Sequence, residues 1–509
     1  MALQRISTAL RHVSPKIALL LCFLTGASTA LCFAPFDLWP VAFIAFPLFY
    51  LLLESATSRR SAMGRSYFFG YGYFMGGTWW IANALLVDAA QFGWLVPFCV
   101  LGLTGLFAIW FLLLGWVFWS VRSGRAAADV ALFAVLWVFL EILHSVGIFG
   151  FPWNLVGYIA LSSIRLSQVA ALIGPYGLSL FVMLLALLPA LYLKSNISPR
   201  KRGVLTAVIL TLTIAAYGYG MSRMPVESAM TDTRLRIVQA SIPQKIKWTE
   251  EGRSESLKVH AGMSQIKSDP APQLIIWPES AFPYTIYPDS TWPQRLSEIL
   301  PTGGVLITGL VHGEDSGESL KLWNSILAVD DKGTIVGTYD KHQLVPFGEF
   351  VPLRDVLPLK KITAGGVDFS RGKGPSTIRL PGYPAFSPLI CYEIIFPWIA
   401  IDRAHRPDWI LNVTNDGWYG DSPGPYQHLA MSRMRAIEQG LPVARAANTG
   451  ISAVIDPYGR ILRMMPLNER GIIDQTLPRP LDPTFYAVHG ERIVLLLVLI
   501  FCILMRSRL

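Results

Sequence analysis

Charge is scarce in this chain. Lys, Arg, Asp and Glu make up 15% of its 509 residues, where a soluble domain carries about 25%. Hydrophobic residues reach 52%, and there are 16 tryptophans. This balance excludes a wholly soluble protein and puts much of the chain in lipid. Cysteine is scarcer still, with five in all. No two are spaced C-x-x-C, so neither a disulfide framework nor a metal site is expected. Zinc-finger spacing, a Walker loop and an RNA-binding signature are all missing. The net charge of +9 would raise the question of nucleic acid in a soluble protein. Here the basic residues fall largely between apolar runs, which reads as membrane topology, and no nucleic-acid partner is expected.

What is present begins with those apolar runs. A span needs about 20 mostly apolar residues. The candidates are Ile17 to Phe33, Leu38 to Leu53, Tyr67 to Val87, Trp94 to Val121, Ala128 to Ile148, Leu166 to Leu193, Val204 to Met221, and Ile493 to Met505; the first, second and last are short, and re-entrant segments are the alternative for two of them. The first also resembles a signal peptide ending in "ASTA", but a second apolar run follows after only "APFD". Arg5, Arg11 and Lys16 precede the first run; Arg59, Arg60 and Arg65 follow the second; Arg122 and Arg125 follow the fourth; Lys194, Arg200, Lys201 and Arg202 follow the sixth; Arg506 and Arg508 follow the last. The alternate connections hold almost no Lys or Arg, Arg165 being the exception. With eight spans every basic cluster lies on one side, which the positive-inside rule makes the cytoplasm. Three regions follow: residues 1–221 with seven spans, residues 222–489 outside the cytoplasm, and residues 490–509 with the last span and a cytoplasmic tail.

Residues 222–489 are mixed in polarity and dense in Pro and Gly. Short apolar runs recur there: "RLRIVQA", "QLIIWPE", "GVLITGL", "SILAVD", "GTIVGTYD", "FSPLICYE", "DWILNVTND" and "GISAVID". Each is bounded by Pro, Gly, Asp or Asn, which predicts strands, several buried on both faces. Helical spacing marks "QHLAMSRMRAIEQG". An α/β domain with a largely buried sheet is expected.

Three of these runs lead into reactive side chains. "LIIWPES" presents Glu279, "YDKHQLVPFGEFVP" presents Lys341 and then Glu349, and "SPLICYE" presents Cys391. Cys22, Cys32, Cys99 and Cys502 lie in apolar runs, so Cys391 stands apart. A thiol becomes a potent nucleophile once its proton is taken. Glu279 in a dry setting suits the base. Lys341, kept protonated by two carboxylates, suits the oxyanion of a tetrahedral intermediate, with the Tyr392 N–H as a second donor. Taken singly, a cysteine in an apolar strand is a small packed residue, and a Glu or Lys at a strand end is a solvated surface group. Order and context together favour the reactive reading.

The order Glu, Lys, Cys in "WPES", "YDKHQLVPFGEFVP" and "LICYE" resembles the nitrilase, or carbon–nitrogen hydrolase, superfamily. "NVTNDGWYG", "RAIEQGLPVARAANTGISAVIDPYGRI" and "VQASIPQKIKW" strengthen the match. With "FGYGYFMGGTWW" and "GFPWN" in the apolar part, the whole chain is similar to the bacterial apolipoprotein N-acyltransferases. The resemblance implies an αββα sandwich on the periplasmic face of the inner membrane; the basic clusters put both termini in the cytoplasm, and a monomer is expected. It implies that the Cys391 thiolate takes an acyl chain from a phospholipid, typically phosphatidylethanolamine. The resulting thioester is passed to the α-amine of the diacylglyceryl-cysteine that begins an apolipoprotein acceptor. The thioester stores the acyl group, so no cofactor is implied.

Accessory residues follow from the same motifs. Glu349 holds Lys341 or a second proton, or is an ordinary salt bridge. Tyr392 and Glu393 match family residues needed for activity, and Asn415 belongs to the active-site motif "NDGWYG". Trp248 and Trp418 grip acyl chains or gate entry, or anchor at the interface. Glu141, a carboxylate inside a span, is functional by default or packs against His144 or a backbone group. His428 reads as structural. A membrane-anchored amidase would use the same triad, but seven preceding spans exceed what an anchor needs. A transporter or scaffold with an inert enzyme domain would carry several ionisable residues in its spans, and these spans carry few.

Overall fold

The computed structural model describes residues 10, 12–147, 150–193, 197–315, 317, 320–352 and 367–506. The chain divides into two compact units. One comprises Met1–Ala82, Leu95–Pro225 and His489–Leu509; the other comprises Asn83–Trp94 and Val226–Val488.

The first unit is helical. Three of the helices that begin near a basic cluster are capped by serine: Ser14 before Pro15–Ser28, Ser58 before Arg59–Thr78 and Ser198 before Pro199–Arg223 each accept a backbone N–H of the first turn, satisfying one of the orphan donors there. Among the described residues, five helical stretches are long and apolar enough to cross a membrane: Pro15–Cys32, Ala89–Val121, Ala126–Ser145, Ala170–Leu193 and Pro199–Arg223. The other three expected spans fall on shorter or more polar helices: Trp39–Glu54, Arg59–Thr78 and the 15-residue Arg492–Arg506. Arg59, Arg60 and Arg65 make Arg59–Thr78 polar at its start, and the glycines of "FGYGYFMGG" put small residues where bulky apolar ones are usual. A Cβ at Gly72 would lie 2.0 Å from the Phe23 carbonyl oxygen, so glycine lets this helix touch the backbone of Pro15–Ser28, as close-packed membrane helices require. Glu141 is buried; Trp137 Nε1 donates to it at 3.0 Å and the Val156 amide at 2.8 Å. Its partners are thus an indole and a backbone group rather than His144.

Among the described residues the second unit holds twelve strands: β1 (Met230–Gln239), β2 (Leu274–Ile276), β3 (Thr285–Ile286), β4 (Val305–Asp315), β5 (Leu320–Asp330), β6 (Ile335–Asp340), β7 (Phe386–Ile390), β8 (Trp409–Thr414), β9 (Val443–Ala447), β10 (Ser452–Ile455), β11 (Ile461–Met465) and β12 (Gly471–Pro478). One sheet runs β12-β1-β2-β4-β5-β6, with β3 beside β4; the other runs β11-β10-β9-β8-β7. Side chains alternate across each strand, and here both faces are covered. Leu235, Ile237, Leu274, Ile276 and Ile307 meet Phe386, Leu411, Val413, Ala444 and Ala446 between the sheets. Val238, Ile275, Trp277 and Leu306 face the other way, against Leu257, Met263 and Leu296 from helices Glu250–Ser264 and Trp292–Ser297. Helix Pro423–Gln439 covers the second sheet, where Arg445 of β9 reaches its Ser432 and His428. The layers are therefore α, β, β, α. Each fully buried Ile, Leu or Val in this core stabilises the fold by about 1.5–3 kcal/mol. All eight expected strands are present. The expectation omitted β9, which carries a buried arginine, together with the two-residue β3, the largely exposed β11 and the half-buried β12.

Candidate active site

Three strand ends build the site. Pairing of β2 with β4 continues one residue past β2, where the Trp277 N–H donates to Ile307 O at 2.8 Å. The chain then turns at Pro278 and presents Glu279. A Cβ at Gly309 would stand 2.6 Å from the Glu279 Cα, so only glycine lets β4 pass this close. Pairing of β5 with β6 likewise continues, with the Lys341 N–H donating to Asn324 O at 2.8 Å, and Lys341 follows at once. Cys391 ends β7 with φ +50°, and Ser280 beside Glu279 has φ +49°. Both are left-handed conformations that side-chain-bearing residues seldom adopt. Strain of this kind is held where the surroundings over-determine it, commonly at reactive groups.

Glu279, Lys341, Glu349 and Cys391 are all buried. Lys341 Nζ lies 3.0 Å from Glu349 Oε1 and 3.8 Å from Glu279 Oε1. Asn324 Nδ2 donates to both carboxylates at 2.8 Å, and the Val345 N–H donates to Glu349 Oε2 at 2.9 Å. Glu349 is thus a fully engaged buried partner, unlike a surface ion pair. Burial works against the Lys341 ammonium, but Glu349 and Glu279 overcome it and hold its pKa above lysine's usual range. Burial raises the Glu279 pKa, opposed by Lys341. Glu279 Oε2 has no hydrogen-bond partner among the described residues. A buried carboxylate oxygen left open is costly and is free to receive a proton. Burial, then Glu279, push the Cys391 thiol up to about 12. The resting nucleophile is therefore a thiol, and its proton leaves only as attack proceeds.

Glu393 ties the elements together. Its Oε1 accepts from Tyr339 Oη at 2.9 Å, the His342 N–H at 2.8 Å and the Gln343 N–H at 3.0 Å; Oε2 accepts from the Ile390 N–H at 2.8 Å. One carboxylate so locks the loop after Lys341 to the turn that carries Cys391. Tyr392 is buried with its ring edge-on to Phe396 at 4.9 Å. Asn415 Nδ2 donates to Gln244 Oε1 at 2.6 Å, and Asn448 Nδ2 donates to Asn415 Oδ1 at 3.3 Å, so Asn415 braces the 242–249 loop rather than reaching the triad. Trp248, in the 242–249 loop, and Trp418, at the end of the 3-10 helix Asp416–Trp418, are half-buried; among the described residues neither makes a hydrogen bond or ring contact to the triad.

Several residues escaped the sequence reading. Asn324 is one. Behind Cys391, His428 Nε2 lies 3.2 Å from the Cys391 carbonyl oxygen and Nδ1 3.1 Å from Arg445 Nη2. Nδ1 also lies 3.0 Å from Asp416 Oδ1, and burial, with Arg445, lowers the His428 pKa. Arg445 Nη2 also meets Asp416 Oδ2 at 2.6 Å. Burial penalises the Asp416 carboxylate, but Arg445 and His428 outweigh it and hold its pKa at about 2. Tyr419 lies within hydrogen-bonding reach of Cys391, and its carbonyl accepts from Asn83 Nδ2 at 2.7 Å. Lys247 is also buried, with Nζ 3.1 Å from the Glu279 carbonyl oxygen. Its position in "IPQKIKW" was the available signal. Among the described residues no cluster of His, Cys, Asp and Glu is arranged to hold a metal.

Comparison with known proteins covers both units. Residues 234–481 match the carbon-nitrogen hydrolase family, and residues 25–188 match the apolipoprotein N-acyltransferase N-terminal domain. The chain is 38% identical to the apolipoprotein N-acyltransferase of Rhodopseudomonas palustris, over 95% of this chain and 94% of that one. Identity is also 38% to the enzyme of that name from Bradyrhizobium diazoefficiens, over 92% and 90% of the two chains. The Brucella melitensis enzyme of that name is 38% identical over 94% and 93%.

Proposed function

The chain belongs to the apolipoprotein N-acyltransferase family, and from that premise we propose the route by which it moves an acyl chain. It is an acyltransferase of the carbon–nitrogen hydrolase superfamily, not an amidohydrolase of small amides. The donor is a phospholipid, phosphatidylethanolamine foremost, and the acceptor is the α-amine of a diacylglyceryl-cysteine at an apolipoprotein N-terminus. Eight spans place both termini in the cytoplasm and the second unit in the periplasm; the one-sided basic clusters support this. The protein acts as a monomer in the bacterial inner membrane.

The observation that carries the reading is the open oxygen of Glu279 in a buried cluster with Lys341 and Cys391. In the first step Glu279 takes the Cys391 proton as Sγ attacks the ester carbonyl carbon. Charge passes to the carbonyl oxygen, facing the Lys341 ammonium and the Tyr392 N–H. The carbon–oxygen bond then breaks, and Glu279 returns the proton to the departing lysophospholipid. In the second step the amine attacks the thioester carbon and gives a proton to Glu279. The carbon–sulfur bond breaks, and the proton returns to sulfur. Glu349 and Asn324 hold Lys341 and Glu279 in register, and Glu393 holds the two loops together.

The purified protein, in micelles of labelled phosphatidylethanolamine with a synthetic diacylglyceryl-cysteine peptide, tests this. The expected product is peptide carrying the label as an amide on its N-terminus. Labelled free fatty acid as the main product, with the peptide unchanged, would contradict the proposal.

A further inference from the structure

Lys247 is a lysine where none is expected. It sits in the 242–249 loop between β1 and helix Glu250–Ser264, with 1% of its surface exposed. A buried ammonium has three protons to place. Among the described residues its one hydrogen bond is to the Glu279 main-chain oxygen, at 3.1 Å. The loop that carries it is rigidly braced. The Ile242 N–H donates to Asn448 Oδ1 at 3.0 Å, Asn448 Nδ2 donates to Ile242 O at 2.8 Å, and Gln244 pairs with Asn415. On the far side, Ser256 Oγ donates to Ala281 O at 2.8 Å, which fixes the turn after Glu279. A cation has therefore been built into the wall of the site, against the backbone of the base.

Charge explains why. With Cys391 neutral, the carboxylates of Glu279, Glu349 and Glu393 face a single cation, Lys341. A second cation offsets part of that negative excess. Moving the thiol proton to Glu279 then shifts negative charge from carboxylate to sulfur without changing the sum. The charged and titratable groups facing Lys247 are Glu279, Cys391 and His260. His260 Nδ1 lies 2.7 Å from Ser256 O, and burial depresses its pKa to about 3, so it stays neutral. Glu279 in turn faces Lys341 and Glu349, and Cys391 faces Glu279, Lys341 and Asp416.

We propose that Lys247 is a positioning residue whose buried positive charge, fixed against the main chain of Glu279, favours ionisation of the Glu279–Cys391 pair. This rests on Cys391 being the reactive thiol, but not on the identity of the acyl donor. Burial lowers the Lys247 pKa to about 8, so its help should fade as pH rises past that point.

The test is the rate of Cys391 alkylation by iodoacetamide from pH 6 to pH 10, read by peptide mass on the full-length protein in detergent without lipid. Loss of labelling at this position in Cys391→Ser identifies the thiol. Lys247→Met should react about tenfold slower at pH 7, as a thiol pKa raised by about one unit requires. The gap to the parent should close above pH 8, where the parent loses its own charge. Lys247→Arg should stay close to the parent at pH 7. Lys247→Gln keeps a donor for the Glu279 carbonyl but no charge, and should behave like Lys247→Met. Melting temperatures establish that each variant is folded. If Lys247→Met fails to fold, Lys247→Gln decides alone. A parental profile in Lys247→Gln, or a deficit that does not vary with pH, would overturn the proposal, because Lys247 would then be only a hydrogen-bond donor. Failure of acyl transfer with normal alkylation profiles would instead count against the proposed function.

Discussion

Two of the buried charge clusters in the second unit flank Cys391, and they are finished to different degrees. Behind Cys391, Arg445, Asp416 and His428 saturate one another: Asp416 Oδ2 meets Arg445 at 2.6 Å, Oδ1 meets His428 at 3.0 Å, and Thr414 Oγ1 donates to Oδ1 at 3.0 Å. In front of it, Glu279 Oε2 and Asn324 Oδ1 are buried and without partners among the described residues. Burial raises Glu279, whereas the partners of Asp416 lower it. A satisfied cluster holds geometry; an unsatisfied one holds a vacancy for a proton or a substrate atom. The strained backbone of Cys391 stands between them. The back cluster thus fixes the nucleophile while the front cluster remains able to react.

Substitutions should separate these two behaviours. The largest effect is expected from Glu279→Gln, which keeps size and the Asn324 hydrogen bond but removes the base. Single-turnover acylation should fall about 10²–10⁴-fold, with the melting temperature near the parent's. Comparable acylation, or a large loss of stability, would erase the distinction. Arg445→Met should do the reverse. It leaves Asp416 buried without its cation, which costs about 3–5 kcal/mol of stability. Denaturant titration reads this loss, and the fraction that remains folded should still acylate. If Arg445→Met instead melts like the parent and cannot acylate, the back cluster belongs to the chemistry.

Much of this arrangement was legible in the sequence where short-range signals apply. Eight strands were visible as apolar runs between turn residues, and Glu279, Lys341 and Cys391 stood at the ends of three. The run Tyr67 to Val87 read as a span, whereas the helix that covers its start, Arg59–Thr78, begins with Arg59, Arg60 and Arg65 and packs through glycine. The back cluster, of which His428 alone was singled out and read as structural, was invisible as a unit for another reason. Asp416, His428 and Arg445 come from a loop, a helix and a strand, and nothing local shows that their charges cancel. Arg445 even hid β9, since a charge in mid-strand reads as surface. Lys247 was hidden by the same prior: a lone lysine in a polar loop is ordinarily solvated, and only the fold buries it.

The central claim is that Cys391 carries the acyl chain between two substrates. Intact mass of the purified protein, before and after incubation with phospholipid of one defined chain length and without any amine acceptor, tests it most directly. The account predicts an increment of one acyl chain, mapped to the Cys391 peptide, removed by neutral hydroxylamine and absent from Cys391→Ser. An unmodified Cys391 with acyl transfer intact, or an increment that persists in Cys391→Ser, would contradict it.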